Sequence, residues 1–231
     1  MGGGVAAIVP AAGLGRRFRG RTRKLFASIH GRPLLAYTLQ ALQASPAIRW
    51  IQVVVRPAER AEIERLIGRY RITKALRPCA GGASRSESVA SGFAALPEDA
   101  GWILVHDGAR PCVSAGLIRS SVRAAKRHGA VACGLPASLT VKEVAADGEV
   151  RATLDRRRLW FVQTPQLFRR DLFAASLQRA GKRLSRFPDD ASIVEAAGFR
   201  VRMVPGDPLN IKVTTRDDLV LAEAILRKVR T

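Results

Sequence analysis

Val5-Ala6-Ala7-Ile8-Val9-Pro10-Ala11-Ala12-Gly13-Leu14-Gly15-Arg16-Arg17 is the stretch on which the fold turns. Val5 to Val9 is a short apolar run bounded by Pro10 and Gly13, which reads as a buried strand. A turn of small residues follows it directly. Small residues let the backbone approach a ligand, and N–H groups in such a turn hold phosphate oxygens. In an open α/β sheet, ligands bind past the carboxyl ends of the strands. The turn is not a dinucleotide fingerprint, which would need Gly where Phe18 stands. It is not a P-loop either, because no Gly-Lys-Ser/Thr follows. Arg17 and Lys24 add two cations, which suit a triphosphate and the charge that develops in phosphoryl chemistry.

The alternation of strand and helix continues outward from this point. Residues 34–44 have a helical pattern with Pro33 at the first position. Residues 50–55 read as a second strand ended by Pro57, residues 58–70 as a helix, and residues 72–76 as a third strand. A helix over 86–95, a strand over 102–106, a helix over 117–128 closed by Gly129 and a strand over 130–135 follow. This rhythm implies an α/β fold, a mostly parallel sheet covered on both faces. Residues 136–159 break it: Thr140 to Val144 alternates, turns at Asp147-Gly148 and resumes at Val150, a hairpin that projects from the sheet. A strand at 160–163, a helix near 171–179, a strand near 201–204 and a last helix from Thr215 complete the chain, with Thr215 and Asp218 as a capping box. The whole chain, 1–231, reads as one domain with its arm at about 136–159.

Composition narrows the function classes. The 231 residues carry 39 Lys+Arg against 19 Asp+Glu, a net charge of +20, and 32 of the basic residues are arginine. Hydrophobic residues make up 47%, enough for a core and too many for a disordered chain. No run reaches the roughly 18 apolar residues of a membrane span, and the start, Met1 to Val5, lacks the cationic lead of a signal peptide. A soluble, cytoplasmic protein with no membrane partner is the expectation. Cys79, Cys112 and Cys133 have no C-x-x-C spacing and read as free thiols, and His30, His106 and His128 have no metal-ligand spacing. The charge raises a basic nucleic-acid-binding protein as a reading. The basic patches are scattered, however, and aromatics for base stacking are only 6%, so no specific nucleic-acid partner is expected.

Three further stretches carry chemistry. Val105-His106-Asp107-Gly108-Ala109-Arg110-Pro111 ends another buried strand, where an Asp can hold Mg²⁺ or a ribose hydroxyl, or simply open a turn before Gly. His106 reads as a satisfied core residue or a neighbour of the site. Gly81-Gly82-Ala83-Ser84-Arg85-Ser86-Glu87-Ser88 is a Gly-rich loop opening a helix, with a capped helix start as the plainer reading. Asn210-Ile211-Lys212-Val213-Thr214 reads as a short apolar strand, whose Lys alone would be a solvated edge charge.

Together with Leu159-Trp160, Thr164-Pro165-Gln166 and Asp189-Asp190-Ala191-Ser192, these motifs make the chain resemble the 2-C-methyl-D-erythritol 4-phosphate cytidylyltransferase family almost end to end. The resemblance implies a Rossmann-like sheet of the nucleotidyltransferase type, with a β-arm that interlocks two subunits into a homodimer. It implies transfer of CMP from CTP to methylerythritol 4-phosphate, with Mg²⁺ or another divalent cation, in isoprenoid precursor synthesis. By the same resemblance Arg17 and Lys24 would stabilise the transition state, and Arg156 and Lys212 would position the attacking phosphate. Pro10, Ala11, Ala12, Gly13 and Gly15 would form the nucleotide loop. Gly82, Arg85 and Ser88 would recognise the cytosine side, partly through backbone groups. Asp107 and Gly108 would lie against the ribose, with Asp107 on the metal. Arg110, Thr140 and Thr164 would line the sugar-phosphate pocket, Thr140 and Arg156 arriving from the partner's arm.

The chain departs from the family's usual pattern in Arg23-Lys24-Leu25 where Pro-Lys-Gln is usual. Ala83 stands in place of an acidic residue, and Pro188 in place of Thr. These departures leave room for another acceptor, such as ribitol 5-phosphate.

Overall fold

Ala6 and Ile8 face one apolar layer while Val5, Ala7 and Val9 face another, so the first strand is buried on both sides. A computed structural model describes residues 3–13, 15, 18 and 23–229. In chain order, β1 (Val5–Pro10) is followed by a small hairpin, β2 (Ser28–Ile29) and β3 (Arg32–Pro33), and then α1 (Leu34–Ala44). Next come β4 (Ile48–Val55), α2 (Arg60–Arg69), β5 (Cys79–Ala80), α3 (Arg85–Ala94), β6 (Trp102–Val105), α4 (Ala115–His128) and β7 (Ala130–Pro136). The hairpin β8 (Val141–Val144) and β9 (Val150–Leu154) precedes β10 (Trp160–Arg169), α5 (Arg170–Ala180), α6 (Asp190–Ala196), β11 (Arg202–Pro205) and α7 (Arg216–Val229).

Seven strands form the main sheet in the order β11-β7-β10-β6-β1-β4-β5. All neighbours run parallel except β10, which is antiparallel to both β6 and β7. The mostly parallel α/β sheet expected from the sequence is therefore present. Side chains of α1, α2, α4 and α7 cover one face; those of α3, α5 and α6 cover the other, where Phe168 and Phe173 stack at 4.8 Å. α3 can lie this close to the sheet because Gly92 has no side chain: a Cβ there would sit 2.7 Å from both Ile8 and Val54.

Several sequence expectations are corrected. Residues 72–76 do not form a strand. Ile72 closes α2 through its N–H to the Ile67 carbonyl (3.0 Å), and only Ala75 makes a bridge, to Ile51. The strand beside β4 is Cys79–Ala80 instead. Pro33 is the N-cap of α1, extended at ψ 139°, rather than its first helical residue. β10 runs on to Arg169, well past Gln163, because after a break in its ladder to β7 between Val162 and Gln166 the strand pairs again, residues 166–169 with β6 and 166–168 with β7. Pro165 falls in that gap, where its missing N–H costs no ladder bond. The capping box of α7 is present, with Asp218 N–H donating to Thr215 Oγ1 (3.2 Å) and Thr215 N–H to Asp218 Oδ2 (2.8 Å).

The hairpin β8–β9 pairs only with itself, as a separate two-stranded sheet. Gly148 at φ +94° makes its turn, where a side chain would be strained. Leu139, Val144, Val150, Leu154, Phe161 and Val162, on the arm and its root, are all exposed, and Leu139 reaches 73%. No helix among the described residues is long and apolar enough to cross a membrane.

Candidate active site

Two clefts of about 460 Å³ and 440 Å³ adjoin at the carboxyl ends of β1 and β6. Pro10, Ala11, Ala12, Gly13 and Gly15 form one side of the first cleft; Lys24, Gly82, Ser88 and Gly108 also line it. Close packing explains the small residues. A Cβ on Gly81 would meet Ala12 Cβ and Ser88 Oγ at 2.7 Å, so the loop before α3 rests directly on the loop after β1. α3 points its positive end toward this cleft, started by a capping box between Ser84 and Glu87. Ser88 spends its hydroxyl on the Ser84 carbonyl (2.8 Å), within its own helix. Arg17 lies outside the described residues.

The second cleft is lined by Arg110, Gln163, Thr164, Gln166, Pro188 and Asp189, among others. Arg85, Asp107 and Lys212 line both clefts and so form the wall between them. Asp107 Oδ1 accepts from Arg85 Nε at 3.1 Å, and Lys212 Nζ lies 2.8 Å from Asp107 Oδ2. Arg110 Nε is 3.7 Å from the same oxygen. Burial alone would raise the Asp107 carboxyl; Arg85 first, then Lys212 and Arg110, hold it well below the usual carboxylate range. On its other side, Arg85 Nη2 donates to Oδ2 of the fully buried Asp190 at 2.9 Å. Burial pushes the Asp190 carboxyl up, against the opposing charge of Arg85.

Lys212 is thus not a solvated edge charge, and residues 210–214 are not a strand. Their backbone groups go elsewhere. Asn210 N–H donates to the Asp207 carbonyl (2.9 Å) and Val213 N–H to the Ala109 carbonyl (2.9 Å). Arg110 Nη1 donates to the Asn210 carbonyl (2.7 Å), and Asn210 Nδ2 to the Thr164 carbonyl (2.7 Å). Gln163 Nε2 holds the Asp207 carbonyl (3.0 Å). These bonds tie the lysine loop to β10 and to the loop after β6.

His106 is fully buried beneath Asp107. Thr164 Oγ1 accepts from the Asp107 N–H (3.0 Å) and lies 3.1 Å from His106 Nδ1, while His106 Nε2 is 3.3 Å from the Arg110 carbonyl. One tautomer satisfies all three contacts, a neutral ring protonated at Nε2. Burial, then the nearby Arg110 charge, lowers its pKa to about 4. The core or near-site role read from the sequence holds.

Among the described residues, four buried side-chain atoms lack a hydrogen-bond partner: Arg85 Nη1, Arg110 Nε, Asp190 Oδ1 and Asn210 Oδ1. Two of them are guanidinium N–H groups of residues lining the second cleft, which suits it to an anionic or hydroxyl-rich ligand. Thr140 and Arg156 are not brought to either cleft within one chain. Both are exposed on the arm, where Arg156 Nη1 donates to the Ser138 carbonyl (2.6 Å). Sequence reasoning missed the roles of Gln163, Asn210 and Asp190. A capping residue at Asp189 was the available local signal for α6: Asp189 caps that helix by accepting the Ser192 N–H (2.9 Å).

The family model for IspD, 2-C-methyl-D-erythritol 4-phosphate cytidylyltransferase, matches residues 5–228. The chain belongs to this family. It is 42% identical to the enzyme of that name from Syntrophus aciditrophicus, over 97% of this chain and 96% of that one. The Dehalococcoides mccartyi protein of the same name is 41% identical over 98% and 97%. The crystal structure of 4-diphosphocytidyl-2C-methyl-D-erythritol synthase from Anaerococcus prevotii superposes with a TM-score of 0.84 at 29% identity, covering 97% of this chain and 99% of that one. That of 2-C-methyl-D-erythritol 4-phosphate cytidylyltransferase from Thermus thermophilus gives 0.78 at 33% identity, with coverage of 97% and 99%. The nucleotidyltransferase-type fold expected of the family is thereby shown.

Proposed function

We propose that this chain transfers the cytidylyl group of CTP to 2-C-methyl-D-erythritol 4-phosphate, giving CDP-methylerythritol and pyrophosphate on the way to isoprenoid precursors. Family membership supports this reading, and one geometric observation carries it at the level of the site. Two clefts, one loop-lined and one hydroxyl- and guanidinium-lined, meet at the single wall of Arg85, Asp107 and Lys212.

The chemistry fits the residues. An oxygen of the acceptor's phosphate attacks the α-phosphorus of CTP, and the bond to the bridging oxygen breaks as pyrophosphate leaves. The nucleophile is already an anion, so no general base is required, in keeping with a neutral, buried His106. The obstacle is bringing two polyanions together, which calls for positioned cations. Lys24, in the first cleft, and Arg17 would offset charge at the α-phosphate. Lys212 would seat the acceptor phosphate from the wall, with Arg110 and Thr164 along the second cleft. Gly82, Ser88 and Gly108 would meet the nucleoside. Arg85 would contribute there through its backbone, since its guanidinium is committed to two carboxylates.

The site also fits a substrate-borne Mg²⁺. That ion takes one or two carboxylates plus phosphate oxygens rather than an all-protein cage. Asp107 is the carboxylate lining the first cleft, and no cluster of three His, Cys, Asp or Glu suited to a metal occurs among the described residues. An ionised carboxylate has about four acceptor positions, so Asp107 retains capacity beside Arg85 and Lys212. Asp107 would hold the ion, which when bound offsets charge on the leaving pyrophosphate.

The whole chain acts as one domain. Its exposed apolar arm supports a homodimer in which Thr140 and Arg156 complete the partner's second cleft. Free Cys79, Cys112 and Cys133 and a nucleotide substrate support work in the cytoplasm. Incubation with CTP, methylerythritol 4-phosphate and Mg²⁺, followed by mass spectrometry, tests the reading. CDP-methylerythritol is expected, and its absence would overturn the reading.

A further inference from the structure

Arg85 divides the edge of its guanidinium that ordinarily grips one carboxylate. Nε donates to Asp107 Oδ1 at 3.1 Å, and Nη2 donates to Asp190 Oδ2 at 2.9 Å. These two nitrogens form the fork that elsewhere takes both oxygens of a single carboxylate. Here the fork is split: Arg85 meets only Oδ1 of Asp107, and Lys212 lies 2.8 Å from Oδ2. The four charges alternate in sign in the order Asp190, Arg85, Asp107, Lys212, and the last three line both clefts. Asp190 lines neither cleft. It is fully buried at the start of α6, and its Oδ1 has no hydrogen-bond partner. Burying an ionised carboxylate with only one oxygen satisfied is costly, and apolar residues in place of both Asp190 and Arg85 would pack there without that cost. A purely structural account of Asp190 is therefore poor.

We propose that Asp190 is a positioning residue: it holds Nη2 of Arg85 away from Asp107, which fixes the angle of the Asp107 carboxylate and, through it, the place of Lys212 on the wall between the clefts. Without the Asp190 charge, Arg85 closes its fork on both oxygens of Asp107; the carboxylate turns, and Lys212 shifts from its place beside the reacting phosphates. Asp190 touches neither substrate in this account and acts only through Arg85. The inference rests on the cytidylyltransferase reading and assigns a further residue to that site.

The test is a kinetic double-mutant cycle on the full-length protein with CTP and methylerythritol 4-phosphate, accompanied by thermal melts. Asp190→Asn, Arg85→Gln and the double variant are compared with wild type. The expected result is a folded Asp190→Asn enzyme with kcat lowered by about 10- to 100-fold, as misplacement of a reacting group causes. Its KM for CTP stays within about twofold of wild type. In the Arg85→Gln background the same substitution changes kcat by less than about twofold, because the residue it works through is gone. Wild-type kcat in Asp190→Asn, or an equal loss in both backgrounds, would overturn the inference. If Asp190→Asn does not fold, Arg85→Lys decides: an ammonium cannot serve both carboxylates in the same geometry, so the kcat loss is expected there too, and unchanged turnover would overturn the inference. A wild-type protein inactive with these substrates would instead overturn the functional reading itself.

Discussion

Lys212 Nζ lies 2.8 Å from Asp107 Oδ2, a contact that joins the loop before α7 to the loop after β6. It places a cation and an anion on the wall shared by the two clefts. The anion sets the position of the cation, and the cation is the group a phosphate would meet.

Replacing Lys212 with Ala should lower kcat by about 10²- to 10³-fold, the effect of removing one charge-stabilising donor. Stability should change little, because Asp107 retains Arg85 and Arg110. Lys24→Ala should behave similarly. Steady-state kinetics alongside thermal melts check both, and near-wild-type turnover in either would remove that lysine from the mechanism.

Asn210→Ala should affect both fold and turnover. Asn210 is fully buried and holds the Thr164 carbonyl at 2.7 Å. Its loss leaves that carbonyl unpaired, at a cost of about 1–3 kcal/mol. The lysine loop loosens, so kcat should fall more than the affinity for CTP. Urea unfolding and a kcat-against-KM comparison read the two effects separately.

These side chains also show where the sequence stops being legible. Val5 to Gly15 revealed both the strand and the small-residue loop that lines the first cleft, because apolar run, Pro and small residues all report local geometry. The hairpin arm was readable from its alternation and its Asp147-Gly148 turn. Residues 72–76 misled, since five residues of mixed character cannot show that Ile72 is spent closing a helix. Lys212 looked like an edge charge because its partner, Asp107, is distant in sequence and no local pattern announces the pair. Asp190 stands in a motif whose residues alone give it no role. Its burial and its bond to Arg85 arise only when α3 and α6 pack on the same face of the sheet.

Protonation of His106 should make the native state acid-sensitive well above the carboxylate range. Burial, aided by the Arg110 charge, lowers its pKa from 6.5 to about 4. Between those values the unfolded chain binds a proton that the native chain does not. The contribution is thus fully present above about pH 6.5 and lost as pH falls toward 4. Its full size is on the order of 3 kcal/mol. Asp107, whose carboxyl is held low, loses its contribution only in stronger acid. Urea unfolding at pH 7 and pH 5 should show a drop in wild type that is smaller in His106→Asn; equal drops would contradict this.

The arm predicts an assembly. Phe161 and Val150 are exposed apolar residues at its root and on β9. Phe161→Asp with Val150→Asp should shift the protein toward monomer in sedimentation velocity and abolish most turnover. Arg156→Ala should be inactive alone. Mixed with a Lys24→Ala chain, it should regain activity, because one hybrid site then has both residues intact. No recovery in verified heterodimers would place Arg156 in its own subunit's site or outside the chemistry.

Pyrophosphate release with CTP and Mg²⁺ across a panel of acceptors decides which phosphate this enzyme family member cytidylylates. The panel holds methylerythritol 4-phosphate, erythritol 4-phosphate and ribitol 5-phosphate. Turnover is expected with methylerythritol 4-phosphate, at a kcat/KM at least about tenfold above the others, the discrimination a methyl-sized difference allows. Release that is absent with methylerythritol 4-phosphate, or faster with ribitol 5-phosphate, would contradict that expectation.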